Sequence, residues 1–493
     1  MISETLQKAR DFESQYTPYV LQNERPMFHV TGGIGWINDP NGFSVYKGEY
    51  HLFYQYYPYK PIWGPMHWGH VKTRDFIRWD RLPVALAPDM PYDKDGCFSG
   101  SAIELPDGRQ LLMYTGVRNR RRSNGLVEGF QTQCVAVGDG VDYEKYEGNP
   151  VLDERDLPAG GSPIDFRDPK IWFEDGKYWA VAGNRPADGS GSILLFESED
   201  ALHWQFASVL ASCHNQFGKM WECPDFFPLD GRHVLLTSPQ DMSSMGLEFH
   251  PGNSTLCIVG DYDREKKHLL RDNLQAIDYG TDFYATQTLE TPDGRRIMIA
   301  WMQSWESAGC KIKTLPFFGQ MTLPRELRVK NGRLIQNPVR ELEQFRTVKV
   351  RYQNVMISQE TNLQGVFGRF LDMTVKVRPG NKNQSYRYFR IGVAKDGERV
   401  TVIRHKPENG TIRVDRSRSG FPHDIVNVRD FPVAACDELK LRIILDRYSL
   451  ELFVNDGEQA ASFVLYTPIS ADSISFSCDG AAIIDVEKYD LEV

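Results

Sequence analysis

The chain has 493 residues and a mass of 56.5 kDa, with 41% hydrophobic and 25% charged residues, ordinary globular material for two to four domains. A net charge of −9 excludes nucleic acid as a main partner, because phosphate binding needs a clustered positive face. Mean hydropathy is −0.44, no apolar run approaches the roughly 18 residues of a membrane helix, and the opening MISETLQKARDFESQYTPYV has no apolar core; with eight cysteines outside any Cys-x-x-Cys pair, this reads as a cytoplasmic protein with free thiols and no membrane partner.

Residues 1–24 form the first segment, with a surface helix expected over 3–14, opened by Ser3. From residue 25 a hairpin recurs. Strand-like runs flank Lys47-Gly48, Asp107-Gly108, Asp175-Gly176, Asp230-Gly231 and Asp293-Gly294. Asp-Gly between β-rich runs marks a type I′ turn, which needs positive φ at both central residues. The turn glycines are spaced by 60, 68, 55 and 63 residues. A second landmark repeats too: Thr73-Arg74-Asp75 leads to Trp79 as Ser198-Glu199-Asp200 leads to Trp204. Hairpins at a fixed period must stack to bury their faces, so 25–337 reads as a five-bladed β-propeller catalytic domain. A short linker helix is expected at 338–345, within a linker over 338–348. Beyond it, 349–493 carries short alternating runs at 369–378, 386–394, 399–405, 439–445, 449–455 and 461–466, the pattern of a β-sandwich. The fold class is therefore all-β.

Three hairpins begin with an acid near the same offset from the turn glycine: Asp39, Asp168 and Glu222. Equivalent offsets in repeated units mean equivalent places in space, so the three carboxylates are expected at one mouth of the central channel. Like charges held together cost energy and mark function. Two carboxylates of opposite pKa tuning cleave glycosides. Glu222, among Trp221, Cys223 and Pro224, suits the acid. Arg167 beside Asp168 should keep that carboxylate ionised, for sugar hydroxyls and transition-state charge. Asp39 is left as nucleophile, with Asn38 a donor to it.

WINDPNG at 36–42, FRDP at 166–169 and WECPD at 221–225 resemble glycoside hydrolase family 32, the β-fructofuranosidases. The resemblance covers nearly the whole chain. It implies a five-bladed propeller followed by a β-sandwich, a small fructoside as substrate, no cofactor, and a retaining reaction through a fructosyl-enzyme. It also implies Asp39 as nucleophile, Glu222 as acid/base and Asp168 as transition-state stabiliser. Substrate-binding positions carry over singly: Asn38, Gln55, Trp63, Phe98, Ser99, Arg167, Tyr284 and Trp301. Ile37 stands where methionine is commoner, and 30–35, 118–122 and 306–318 depart from the usual pattern, the last two bordering the leaving-group side.

Other signals read more plainly. Arg118-Asn119-Arg120-Arg121-Arg122 is either a solvated loop or a subunit contact of a homo-oligomer, favoured over capture of a phosphate on the leaving sugar. His67 and His70 lack a third ligand, so no metal site is expected. Cys223 reads as packing beside the acid rather than a nucleophile. Two alternatives to a β-fructofuranosidase stand: another five-bladed glycosidase acting on arabinosides or xylosides, and a non-catalytic sugar-binding propeller.

Overall fold

The computed structural model describes residues 2–121, 124–309, 314–380, 386–421 and 425–493, and these form an all-β structure. The one α-helix among them, Glu4–Tyr16, starts as expected at Ser3, whose hydroxyl accepts from the Leu6 amide at 3.1 Å. The linker helix is a 3-10 turn, Arg340–Phe345, and a strand begins directly after it at Arg346.

Five antiparallel sheets lie between Gly35 and Pro338. Each opens on an inner strand: Gly35–Tyr46, Gly96–Glu104, Phe166–Glu174, Trp221–Leu229 and Tyr284–Glu290. Later strands add outward in chain order, and Phe317–Phe318 joins the first inner strand in parallel. The five inner strands touch in a closed cycle, first to second and so on to the fifth, which returns to the first. Between successive sheets lie apolar layers, such as Phe53, Trp68, Leu112 and Tyr114 between the first and second, and Val234, Leu236, Met298 and Ala300 between the fourth and fifth. A hairpin alone leaves one face wet; stacking supplies the second face.

The turns differ in type. Lys47-Gly48, Asp175-Gly176 and Asp230-Gly231 have positive φ at both residues, as type I′ requires. Asp107 and Asp293 do not; only Gly108 and Gly294 are left-handed there. Pro106 and Pro292 precede them, and a proline fixes φ near −65°, which starts a type I turn closed by Gly108 N–H to Leu105 C=O at 2.9 Å and Gly294 N–H to Thr291 C=O at 2.8 Å. The second landmark is one repeated turn. Asp75 Oδ1 caps the amides of Ile77 and Arg78, as Asp200 Oδ1 caps those of Leu202 and His203.

The remaining sheets, of six and five strands, pack face to face around Leu371, Val375, Leu441, Ile391, Ile403 and Val414. Strands occur at all six expected runs. Five more were not legible: Arg346–Ile357, Thr411–Arg418, Val428–Pro432, Ser473–Asp479 and Ala482–Leu491. Arg346–Ile357 is an edge strand in which only Ile357 is buried, so it carries little apolar alternation.

Buried charge joins the two parts. Arg325 pairs with Asp278 at 2.9 Å and with Glu451 at 2.6 Å, all three side chains at most 1% exposed. His29 bridges Asp446 and Glu451 at 2.7 and 2.9 Å. Burial alone would depress its pKa, but hydrogen bonds to the two carboxylates raise it to about 9. Arg416 reaches across to Asp282 at 2.5 Å. Removing one partner of such a pair strands a buried charge, at a cost of about 3–5 kcal/mol. The second part is thereby fixed beside residues 278–307, which border the site.

Candidate active site

Each inner strand carries a β-bulge at the same height. Asn38-Asp39 lies within the first, Ser99 the second, Asp168-Pro169 the third, Cys223-Pro224 the fourth and Ala285-Thr286 the fifth. An extra residue breaks the alternation and re-aims a side chain. Asp168, Cys223 and Ala285 have φ of 65°, 49° and 56°, left-handed values that cost strain in non-glycine residues.

The offsets that suggested three equivalent acids conceal a difference. The fourth-strand counterpart of Asp168 is Cys223, and Glu222 stands one residue earlier, level with Arg167 and Tyr284. Two tiers result. In one, Arg167 Nε donates to Glu222 Oε1 at 2.9 Å, and the Tyr284 hydroxyl lies 2.5 Å from Glu222 Oε2. In the other, Ser99 Oγ donates to Asp39 Oδ2 at 2.7 Å, and the Cys223 thiol lies 3.6 Å from both Asp39 Oδ2 and Asp168 Oδ2. The Cys223 amide donates to Asp168 Oδ2 at 2.9 Å. Asp39 and Asp168 therefore meet at Cys223, and Glu222, one residue before it, lies close enough for its charge to act on both.

This arrangement corrects one expectation. Arg167 pairs with Glu222 and Asp165, not with Asp168. Asp168 is not held ionised: burial, then the charge of Glu222, pushes its pKa up to about 7 against the pull of Arg167. Asp39 is raised as well, by burial first and then by Glu222, while hydrogen bonds from Ser99, Asn38 and Cys223 oppose the shift. Cys223 thus contacts Asp39 and Asp168 as packing and hydrogen-bonding group, with its own thiol pushed up by burial.

The other expected residues fall as follows. Asn38 Nδ2 donates to Asp39 Oδ1 at 3.0 Å, and Trp36 Nε1 holds Asn38 Oδ1 at 2.8 Å. Gln55 lies opposite the Asn38-Asp39 bulge, buried, with Nε2 on the Cys97 carbonyl at 3.0 Å. Trp63 is 48% exposed and meets the Phe98 ring edge-on at 6.1 Å. Trp301 is wholly buried behind Trp36; the partly exposed indole beside it is Trp305, 5.1 Å away and stacked on Trp36. Trp305 was missed because its run, QSWESAG, has neither alternation nor turn signal. Thr115 was missed too: its hydroxyl accepts from the Asp168 amide at 3.0 Å and donates to Gln133 at 2.9 Å, and an isolated threonine in a strand gives no sign of this.

Arg120 stacks on Phe130 at 4.2 Å and lies 3.9 Å from Glu154 on an exposed hairpin; Arg122 lies outside the described residues. His70 bonds His51 at 2.9 Å and stacks on Phe53, inside a blade-like layer. No group of three metal-ligating side chains and no helix long and apolar enough to cross a membrane occurs among the described residues.

An all-β chain whose inner strands gather three carboxylates around a buried arginine has the equipment of a glycoside hydrolase. Two family models match in succession, the glycosyl hydrolases family 32 N-terminal domain over residues 29–338 and the family 32 C-terminal domain over 341–491. The chain belongs to glycoside hydrolase family 32. It is similar to a sucrose-6-phosphate hydrolase of Zymomonas mobilis, 36% identical over 98% of this chain and 95% of that one. It is similar also to a raffinose invertase of Escherichia coli, 37% identical over 93% of each. Among solved structures, a Bombyx mori GH32 β-fructofuranosidase in complex with sucrose matches with a TM-score of 0.85 and 33% identity, covering 100% of this chain and 99% of that one.

Proposed function

We propose that the chain is a retaining β-fructofuranosidase that releases the terminal fructosyl unit of sucrose and related small fructosides. The observation that carries this is the meeting of Asp39 and Asp168 at Cys223, with Glu222 one residue away and its charge acting on both. The closed cycle of inner strands supports a five-bladed propeller over 25–337, entered through 1–24 and followed by a linker over 338–348 and a sandwich over 349–493. The family relatives, named for sucrose 6-phosphate, raffinose and sucrose chemistry, support a sugar substrate.

Asp39 is the nucleophile. Its Oδ2 already accepts from Ser99 and Cys223, whereas among the described residues Oδ1 accepts only from Asn38 and keeps a lone pair for the anomeric carbon. Glu222 is the acid. Arg167 Nε and the Tyr284 hydroxyl hold its two oxygens at 2.9 and 2.5 Å, and in this role Glu222 gives its proton to the departing oxygen. Asp168 then binds sugar hydroxyls and faces the positive charge of the transition state. After the leaving group departs, Glu222 takes a proton from water as the water oxygen bonds to the anomeric carbon and the bond to Asp39 breaks, releasing fructose. Asn38, Gln55, Trp63, Phe98, Ser99, Arg167, Tyr284 and Trp301 bind or frame the sugar. Initial rates on sucrose test the reading: Asp39→Ala should lose at least about a thousandfold, ~4 kcal/mol of barrier, with the fold intact by circular dichroism. Near-normal rates in that variant would refute it.

A further inference from the structure

The outer face of the five-stranded C-terminal sheet carries a row of like charges. Pairing sets Arg390 of Tyr388–Lys395 directly opposite Arg404 of Val400–Lys406, and Arg404 directly opposite Arg413 of Thr411–Arg418. Ile391, Ile403 and Ile412 beside them are buried, so the three arginines share the other face. Like charges facing one another across strands destabilise a sheet. Asp430 comes next in the row, and its two oxygens accept from Arg413 at 2.8 and 2.6 Å. Among the described residues the side chains of Arg390, Arg404 and Lys406 form no ion pair and no hydrogen bond; Arg390 lies against the Tyr388 ring, 4.2 Å from its centroid.

A pocket of about 210 Å³ opens on this row. Arg404, Lys406 and Arg413 line it, with Asp430 as the one carboxylate and Leu247 from a loop of the fourth sheet. Three cations against one carboxylate leave two positive charges in excess. Arg404 Nε is buried without an acceptor, and burial, then the charges of Arg413 and Arg390, lower the Arg404 pKa. The guanidinium stays charged all the same and needs an anion. The volume is below the roughly 300 Å³ at which pockets for whole organic ligands begin, so one compact group fits and an entire sugar or nucleotide does not. A single carboxylate would leave one charge over. A phosphate dianion matches both and offers oxygens to Arg404 and Lys406 together.

We propose that this pocket binds a phosphate group, either the free ion or one carried on a small molecule whose remainder projects into solvent. It shares no residue with the carboxylate cluster, so the proposal stands apart from the fructosidase reading. Isothermal titration calorimetry of the full chain at pH 8 and low salt tests it, with inorganic phosphate in one arm and glucose 6-phosphate in the other. One site with a Kd of about 1 mM or tighter is expected in at least one arm. Arg404→Met and Lys406→Met keep the aliphatic stems and remove the charges; each should weaken that binding at least about tenfold. Arg387→Met removes a cation of the same sheet that pairs with Asp479 outside the pocket, and should leave the Kd within about twofold. Without phosphate, Arg404→Met should melt no lower than the parent, since a repulsion is removed, which shows that the variant is folded. Tighter binding of glucose 6-phosphate would assign a phosphorylated sugar, and equal or weaker binding the free ion. Absence of saturable binding in both arms, a Kd unmoved by Arg404→Met, or an equal loss in Arg387→Met would overturn the proposal.

Discussion

At the scale of single residues, the site is an unfavourable cluster that packing enforces. Asp168 is the clearest case. Its pKa is about 7 in the folded protein, against an ordinary value of 3.8. Between those values the folded state holds more protons than the unfolded one, so stability falls as pH rises through this window. The penalty is absent below pH 3.8 and complete above 7. Asp168→Asn removes it while its amide oxygen still accepts from Cys223. We expect the variant to be inactive yet to melt a few degrees higher than the parent at pH 8, the difference shrinking as pH is lowered toward 4. Thermal melts across that range check it; an equal or lower melting temperature at pH 8 would show that the carboxylate is not strained.

At the scale of elements, the inner-strand bulges do the positioning. Gly183 shows how closely the third and fourth sheets must approach. It pairs with Arg167 across the strand, and a Cβ placed there would stand 2.2 Å from the Trp221 carbonyl and 2.9 Å from Met220 Cε. Trp221 precedes Glu222, so Gly183→Ala must displace the strand that carries the acid. The expected outcome is a fall in kcat of about a hundredfold, from misplacement by a fraction of an ångström to one ångström, with about 1–3 kcal/mol lost in stability. Unchanged kcat on sucrose would mean that the spacing of these strands does not set the geometry. The bulges also mark what was legible in the chain. Asp39, Asp168 and Glu222 were found because they recur at near-equal offsets and because their motifs resemble a family. The tier in which each sits was hidden: a one-residue register difference between Glu222 and Cys223 exchanges which carboxylate meets Arg167, and offsets of eight and nine cannot reveal it. Pro106 and Pro292, by contrast, stood in plain view as signs that their turns would not be type I′.

At the scale of the whole molecule, five sheets present short inner edges to one axis, and the C-terminal sheets lock against them through Arg325, His29 and Arg416. The hairpin period made the first part readable, because stacked units repeat their turn chemistry. The second part was read by half, since strands such as Thr411–Arg418 bury Arg416 where an apolar residue would have kept the alternation visible. No local pattern announces a contact like Arg416 with Asp282, 134 residues apart. The proposed reaction runs through a covalent fructosyl-enzyme at Asp39. The direct measurement is mass spectrometry of the Glu222→Gln variant quenched during turnover of an aryl β-fructofuranoside, whose good leaving group needs no acid. Formation then outpaces breakdown, and a fructosyl adduct should accumulate on the peptide containing Asp39. Steady release of fructose with that peptide unmodified would contradict the account.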